Sequence, residues 1–160
     1  MVKQQLTTIG RVEEVDFPEI GIFSVPARID TGAQTSAIWA TSVRENAGML
    51  EFVLFDESSE FYTGEKLRVE KYDVRKVASS NGIVERRFAV KMLVELQSRK
   101  VRANFTLADR SKQVYPVLLG RNFLLGKFLV NVKLGKPGLE AEQKKSRFLR
   151  KSSSDKGAKS

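Results

Sequence analysis

The chain has 160 residues, about one domain's worth and enough to bury a core, with 41% hydrophobic and 29% charged residues. It contains no cysteine and no histidine, which excludes disulfides, thiolate nucleophiles and zinc–thiolate sites and leaves any chemistry to carboxylates, hydroxyls, amines or backbone. No apolar run approaches the roughly 18 residues of a membrane helix, and the first fifteen residues lack a signal-peptide core, so a cytoplasmic protein is expected.

Taken in chain order, the pattern is mainly one of period two. The stretches IGRVEEVDF (9–17), IGIFSVPARI (20–29) and MLEFVLFDE (49–57) read as short strands, punctuated by Pro18-Glu19 and by an Asn46-Ala47-Gly48 turn. Phe88, Val90, Met92, Val94 and Leu96 alternate with polar or smaller residues and mark a half-buried strand. Val101, Ala103, Phe105 and Leu107 mark a second strand, with 97–100 as the hairpin loop between them. YPVLLG (115–120) is a further apolar strand, and GRNFLLGK (120–127) is the short-helix candidate. Together these predict a mainly β domain over 1–138, a many-stranded antiparallel or barrel-like sheet with one small helix. The formal charge is +9, and residues 136–160 supply five of it through eight Lys/Arg against three acids. Residues 139–160 are rich in serine and lysine with Phe148 and Leu149 as large apolar groups, too few to offset the entropy of ordering them, so a disordered basic tail is expected. Such a tail is either a solvated segment or a weak contact for nucleic acid.

Two strands stop at a glycine turn. In RIDTGA, Ile29 precedes Asp30, and Thr31-Gly32-Ala33 follow, so the strand delivers a carboxylate into a turn whose N–H groups and Thr31 hydroxyl can hold it. From this tripeptide alone the aspartate is a catalytic group or a plain turn acceptor. The second strand is PVLLGRNFL, some 85 residues later.

The pair, Asp-Thr-Gly-Ala and then apolar-apolar-Gly-Arg-Asn, resembles the frame of retroviral-type aspartic proteases. DTGAQTSAIWA (30–40), SSNG (79–82), LADRS (107–111) and YPVLLGRNFL (115–124) stand in the order found in a retropepsin-like family of bacteria and archaea, over roughly residues 9–134. The resemblance implies a closed, retropepsin-like acid-protease β-barrel with one short C-terminal helix. It implies a homodimer whose two copies of Asp30 meet at the two-fold axis, with Thr31 and Gly32 shaping the catalytic loop and Leu118, Leu119 and Gly120 forming its floor. Ala33 and Gln34 would border the substrate, and Ser79, Ser80, Asn81 and Gly82 would form the tip of a flap, which on sequence alone reads equally as a surface hairpin. Of the cations around these segments, Arg86, Arg87, Arg110 and Arg121, any two facing the cleft would favour carboxylate-rich substrates.

The family often carries the label of an ATP-dependent zinc protease and occurs alongside ligases that add glutamates to protein termini. A zinc site without His or Cys would be unusual and no G-x-x-x-x-G-K-[ST] loop exists here, so neither metal nor cofactor is expected. The implied function is an aspartic peptidase acting on acidic, glutamate-rich peptide or protein tails; the alternative is a non-catalytic dimer that binds acidic peptides. Three residues depart from the family pattern: Gln34 replaces an arginine, Trp39 a histidine and Asn131 an aspartate. Gln34 and Asn131 read either as independent changes or as an amide pair standing where a charged pair was lost.

Overall fold

A computed structural model describes residues 4–78 and 81–135. The strands are β1 (Thr7–Ile9), β2 (Val12–Phe17), β3 (Ile22–Ile29), β4 (Ser36–Asn46), β5 (Met49–Leu54), β6 (Lys66–Val69), β7 (Asp73–Ala78), β8 (Val84–Leu96), β9 (Arg99–Ala108), β10 (Val117–Leu119) and β11 (Phe128–Val130), with one four-residue helix, α1 (Arg121–Leu124). The fold is mainly β and retropepsin-like, as the sequence predicts.

The main sheet runs β10-β3-β2-β8-β9-β4-β5-β6, and β10 also pairs β4, so the path β10-β3-β2-β8-β9-β4 closes on itself. The ring has a thin seam: β2 meets β8 at the single pair Asp16↔Glu95, so it is not an evenly bonded barrel. Nor is it purely antiparallel. β10 runs parallel to β3, β9 parallel to β4, and β1 parallel to β11 in a separate two-stranded sheet. The β10–β3 pair arises because β10 threads between β3 and β4, two strands that are otherwise consecutive in sequence.

The inward residues of β8 and β9 form the core, and their expected alternation holds: Val90, Met92, Val94 and Leu96 pack with Val101, Ala103, Phe105 and Leu107. Phe17 meets the Phe105 ring edge-on at 6.2 Å. Residues 36–40 of β4 are buried without a break, as befits a strand flanked by β10 and β9 and covered on both faces. The predicted four-residue loop at 97–100 shrinks to Gln97-Ser98, both at positive φ (47° and 63°), because a tight turn of that hand matches the strand twist; the flanking strands gain the residues it gives up. The predicted helix over 120–127 is half that length. It stops at Leu124, and Gly126 at φ 72° turns the chain into β11, where Phe128 stacks on Phe123 with centroids 5.5 Å apart. The basic tail lies outside the described residues.

Candidate functional site

β3 ends at Ile29, whose buried side chain anchors the strand, and Asp30 is the first residue of the loop to β4. The Asp30 N–H donates to the Leu119 carbonyl at 2.9 Å, so the threading strand β10 clamps the loop at its root. The side chain is oriented by the Gly32 N–H, which donates to Oδ1 at 3.0 Å, and the Ala33 N–H donates to the Asp30 carbonyl at 3.3 Å. The Thr31 hydroxyl does not join this set among the described residues, unlike the sequence-based expectation. It is instead the Thr31 carbonyl that is held, by Arg121 Nη1 at 3.2 Å. Thr31, Gly32 and Gln34 are exposed, and Asp30 and Ala33 half-buried, so the carboxylate stands at the rim of one chain rather than inside a closed cavity.

The floor is built from residues 117–122. Leu119 is fully buried, and Gly120 lies so close to the loop that a Cβ there would fall 2.4 Å from the Thr35 carbonyl oxygen and 2.9 Å from that of Ala33. The Arg121 and Asn122 N–H groups donate to the carbonyls of Ala33 and Gln34 at 2.8 and 3.1 Å. Beneath the loop, fully buried Ser36 accepts from the Gly120 N–H (3.0 Å) and donates to Asn122 Oδ1 (2.8 Å), while Asn122 Nδ2 reaches the Asn104 carbonyl (2.9 Å). This polar brace was missed in sequence; its only signal is the Asn that follows Gly-Arg.

Arg110 has both Asp30 and other arginines within electrostatic reach. Arg110, on the loop after β9, is partly buried and held by its Nε donating to the Tyr115 carbonyl at 3.0 Å. Burial, and then the positive charges of Arg87 and Arg28, shift its pKa below the ordinary arginine value, with Asp30 opposing them. Arg110 thus lies within electrostatic reach of Arg28, Arg87 and Asp30. Arg28 was overlooked, although its place two residues before Asp30 puts both on one face of the strand line. Arg121 contacts the loop directly, on the Thr31 carbonyl, and Arg110 reaches Asp30 electrostatically; of the tip, Asn81 and Gly82 sit exposed in a turn, with Gly82 at φ 75°, whereas Ser79 and Ser80 lie outside the described residues. The apolar hollow of about 280 Å³ bounded by Phe17, Phe52, Leu67, Val90 and Met92 includes no residue of the Asp30 loop.

The substituted positions separate. Asn131 Oδ1 accepts from the Lys133 N–H and no hydrogen bond joins it to Gln34, so they are not an amide pair. Trp39 is buried edge-on to Phe55 at 6.1 Å, with its indole N–H unpartnered among the described residues. No cluster of three or more carboxylates that could hold a metal ion occurs among the described residues, and no helix among them is long and apolar enough to cross a membrane.

A family model described as the RimB-like, retropepsin-like aspartic endopeptidase RimB matches residues 8–136, which takes in both the Asp30 loop and the strand that clamps it. The chain belongs to the RimB-like family. Its curated relatives include proteins named probable alpha-L-glutamate ligase from Shewanella halifaxensis (31% identical over 127 residues, 77% of this chain) and Shewanella pealeana (32% over 144 residues, 84% of this chain). The chain spans only 28% and 31% of their lengths. Among solved structures, a Legionella pneumophila protein of unknown function superposes with a TM-score of 0.64 at 22% identity, over 84% of this chain and 99% of that one, a likeness of fold.

Proposed function

We propose that this RimB-like chain is an aspartic peptidase that works as a homodimer, each subunit contributing Asp30, and that it cleaves acidic, glutamate-rich peptide or protein tails. The observation that carries this reading is the state of Asp30: one carboxylate, aimed by the Gly32 N–H and clamped at its root by β10, standing at the open rim of a single chain. Aspartic proteolysis needs two such groups. One ionised carboxylate takes a proton from water, the water oxygen attacks the peptide carbonyl carbon, and the second carboxyl gives its proton to the carbonyl oxygen. The resulting tetrahedral diol collapses when the amide nitrogen takes a proton and leaves as the amine. Two adjacent carboxylates resist ionising together, so the pair shares one proton and titrates as a unit.

Acidic specificity is supported by Arg110, within electrostatic reach of Asp30, Arg28 and Arg87, since such cations favour substrate carboxylates through charge-assisted hydrogen bonds. It is also supported by the relatives' name, since a region similar to this chain occurs within proteins named as glutamate ligases. The basic tail would act as an accessory contact: deleting residues 139–160 is expected to weaken retention on RNA at low salt and to leave peptide cleavage unchanged.

The test compares wild type with Asp30→Asn on a glutamate-tailed peptide between pH 4 and 8. Turnover by the wild type and a loss of at least about a thousandfold in the variant is expected, since the remaining amide cannot take the water proton. Equal turnover would sink the peptidase reading, and tight binding without turnover by wild type would favour the non-catalytic dimer.

A further inference from the structure

The β7–β8 hairpin carries an unusual register. Arg75 lies directly opposite Arg87 and, on the next rung, Lys76 directly opposite Arg86. Like charges facing each other across an antiparallel pair repel, and two consecutive rungs of them make the hairpin less stable than its sequence need be. Alternation assigns the rungs to different faces: Arg75 and Arg87 are half-buried on one, Lys76 and Arg86 exposed on the other. Arg87 stands two residues before Ala89, which pairs antiparallel with Thr106 near the end of β9, so this rung lies beside the loop that carries Arg110, itself tied to the Tyr115 carbonyl just ahead of β10; Arg110 is in turn within electrostatic reach of Arg87, Arg28 and Asp30. The carboxylates sharing the half-buried face are Asp73 and Glu85. Glu85 Oε2 accepts from Arg87 Nε at 3.2 Å and Nη2 at 3.1 Å, on a side chain that is itself 59% exposed. Among the described residues no carboxylate lies within ion-pair distance of Arg28, Arg75 or Arg110, so the face holds more cations than it neutralises.

We propose that this face of the hairpin is the specificity element of the site: Arg75 and Arg87, with Arg110 and Arg28, hold a substrate carboxylate beside Asp30, and Glu85 occupies Arg87 until that carboxylate displaces it. The inference rests on the reading of Asp30 as half of a peptidase site for acidic tails and adds to it the residues that select the tail. An arriving glutamate relieves the repulsion between Arg75 and Arg87 as it binds, so the hairpin settles over an acidic peptide and has no such incentive with a neutral one. Glu85 sets a threshold, because a single weak carboxylate must compete with a tethered one and a run of several does so with higher effective concentration.

Binding is read by fluorescence anisotropy with the full chain bearing Asp30→Asn, using a labelled peptide that ends in six glutamates and the same peptide ending in six glutamines. Arg75→Gln and Arg87→Gln are each expected to weaken binding of the hexaglutamate peptide about tenfold, the size of a lost charge-assisted contact. Glu85→Gln is expected to tighten it about threefold, and Lys76→Gln, on the opposite face, to change it less than about twofold. The hexaglutamine peptide should respond to none of them. Arg75→Gln should also leave the thermal midpoint unchanged or raised, since it removes a repulsion, which separates loss of recognition from loss of structure. The proposal is overturned if Lys76→Gln weakens binding as much as Arg87→Gln, which would mean a diffuse positive field, or if Glu85→Gln fails to tighten it. Because the series reads binding in a chain without the Asp30 carboxylate, it decides on the hairpin independently of whether Asp30 cuts the peptide.

Discussion

Ser36 and Gly120 determine where Asp30 can stand, although neither touches its carboxylate. Ser36→Ala would leave the buried Gly120 N–H without an acceptor and Asn122 Oδ1 without a donor. A loss of about 1–3 kcal/mol is expected, read as a lower midpoint in guanidinium unfolding. Gly120→Ala is a different kind of failure. Its φ of −92° suits any residue, but the added Cβ would meet the Thr35 carbonyl at 2.4 Å, and backbone cannot swing away as a side chain can. The expected cost is on the order of 3 kcal/mol, with the Asp30 loop displaced and cleavage reduced further than stability alone explains. Asp30, Gly32 and Gly120 were legible because short motifs announce them. Ser36 and Asn122 were not, because their meaning lies in a contact across 86 positions that only the threading of β10 creates. Arg28 was missed for a simpler reason: an arginine in a strand reads as a solvated charge until a third arginine is seen to face it.

At the scale of elements, β4, β5 and β6 are joined by Glu51, a carboxylate whose side chain is only 1% exposed. It accepts from Arg68, from Asn46 Nδ2 at 3.0 Å and from Arg44 Nε at 3.0 Å. Arg68 and then Asn46 and Arg44 lower its pKa from an ordinary 4.5 to about 2 against the opposing effect of burial. A carboxyl depressed in the folded state stabilises the fold fully above its unfolded value and loses that contribution as the pH falls from about 4.5 through about 2. Acid unfolding followed by circular dichroism should therefore show a steep loss in that window, and Glu51→Gln should be weaker at neutral pH and flatter below pH 4.5. Glu51 therefore stays ionised from pH 4 to 8, and its titration does not contribute to changes of turnover in that range. β8 and β9 were readable here because each shows one face to the core. β4 was not picked out as a strand: its residues 36–40 are buried on both faces and so carry no alternation. The short strand β6 had too few residues to show a period, whereas β10 was read from its unbroken apolar run before Gly120; α1 was overextended because Leu125 continues the apolar run while pointing to solvent at 78% exposure.

For the whole molecule, the ring closed by β10 presents one Asp30 at its rim, and the proposed peptidase site requires a second. The fold class was evident from strand periodicity and the two glycine-ended motifs, whereas the parallel pairings were not, because a sequence pattern of period two is the same for strands running either way. A homodimer is expected in solution at working concentration, and its mass by light scattering should be twice that of the chain. The most direct measurement of the shared site is a mixing experiment. Wild type is refolded with an equal amount of Asp30→Asn, and its turnover of a glutamate-tailed peptide is compared with the same amount of wild type refolded alone. Random pairing places half of the wild-type chains opposite an asparagine, so turnover should fall to about half and continue to fall as the variant is added in excess. Turnover that stays constant however much Asp30→Asn is added would mean that each chain works alone, and would contradict a site made from two copies of Asp30.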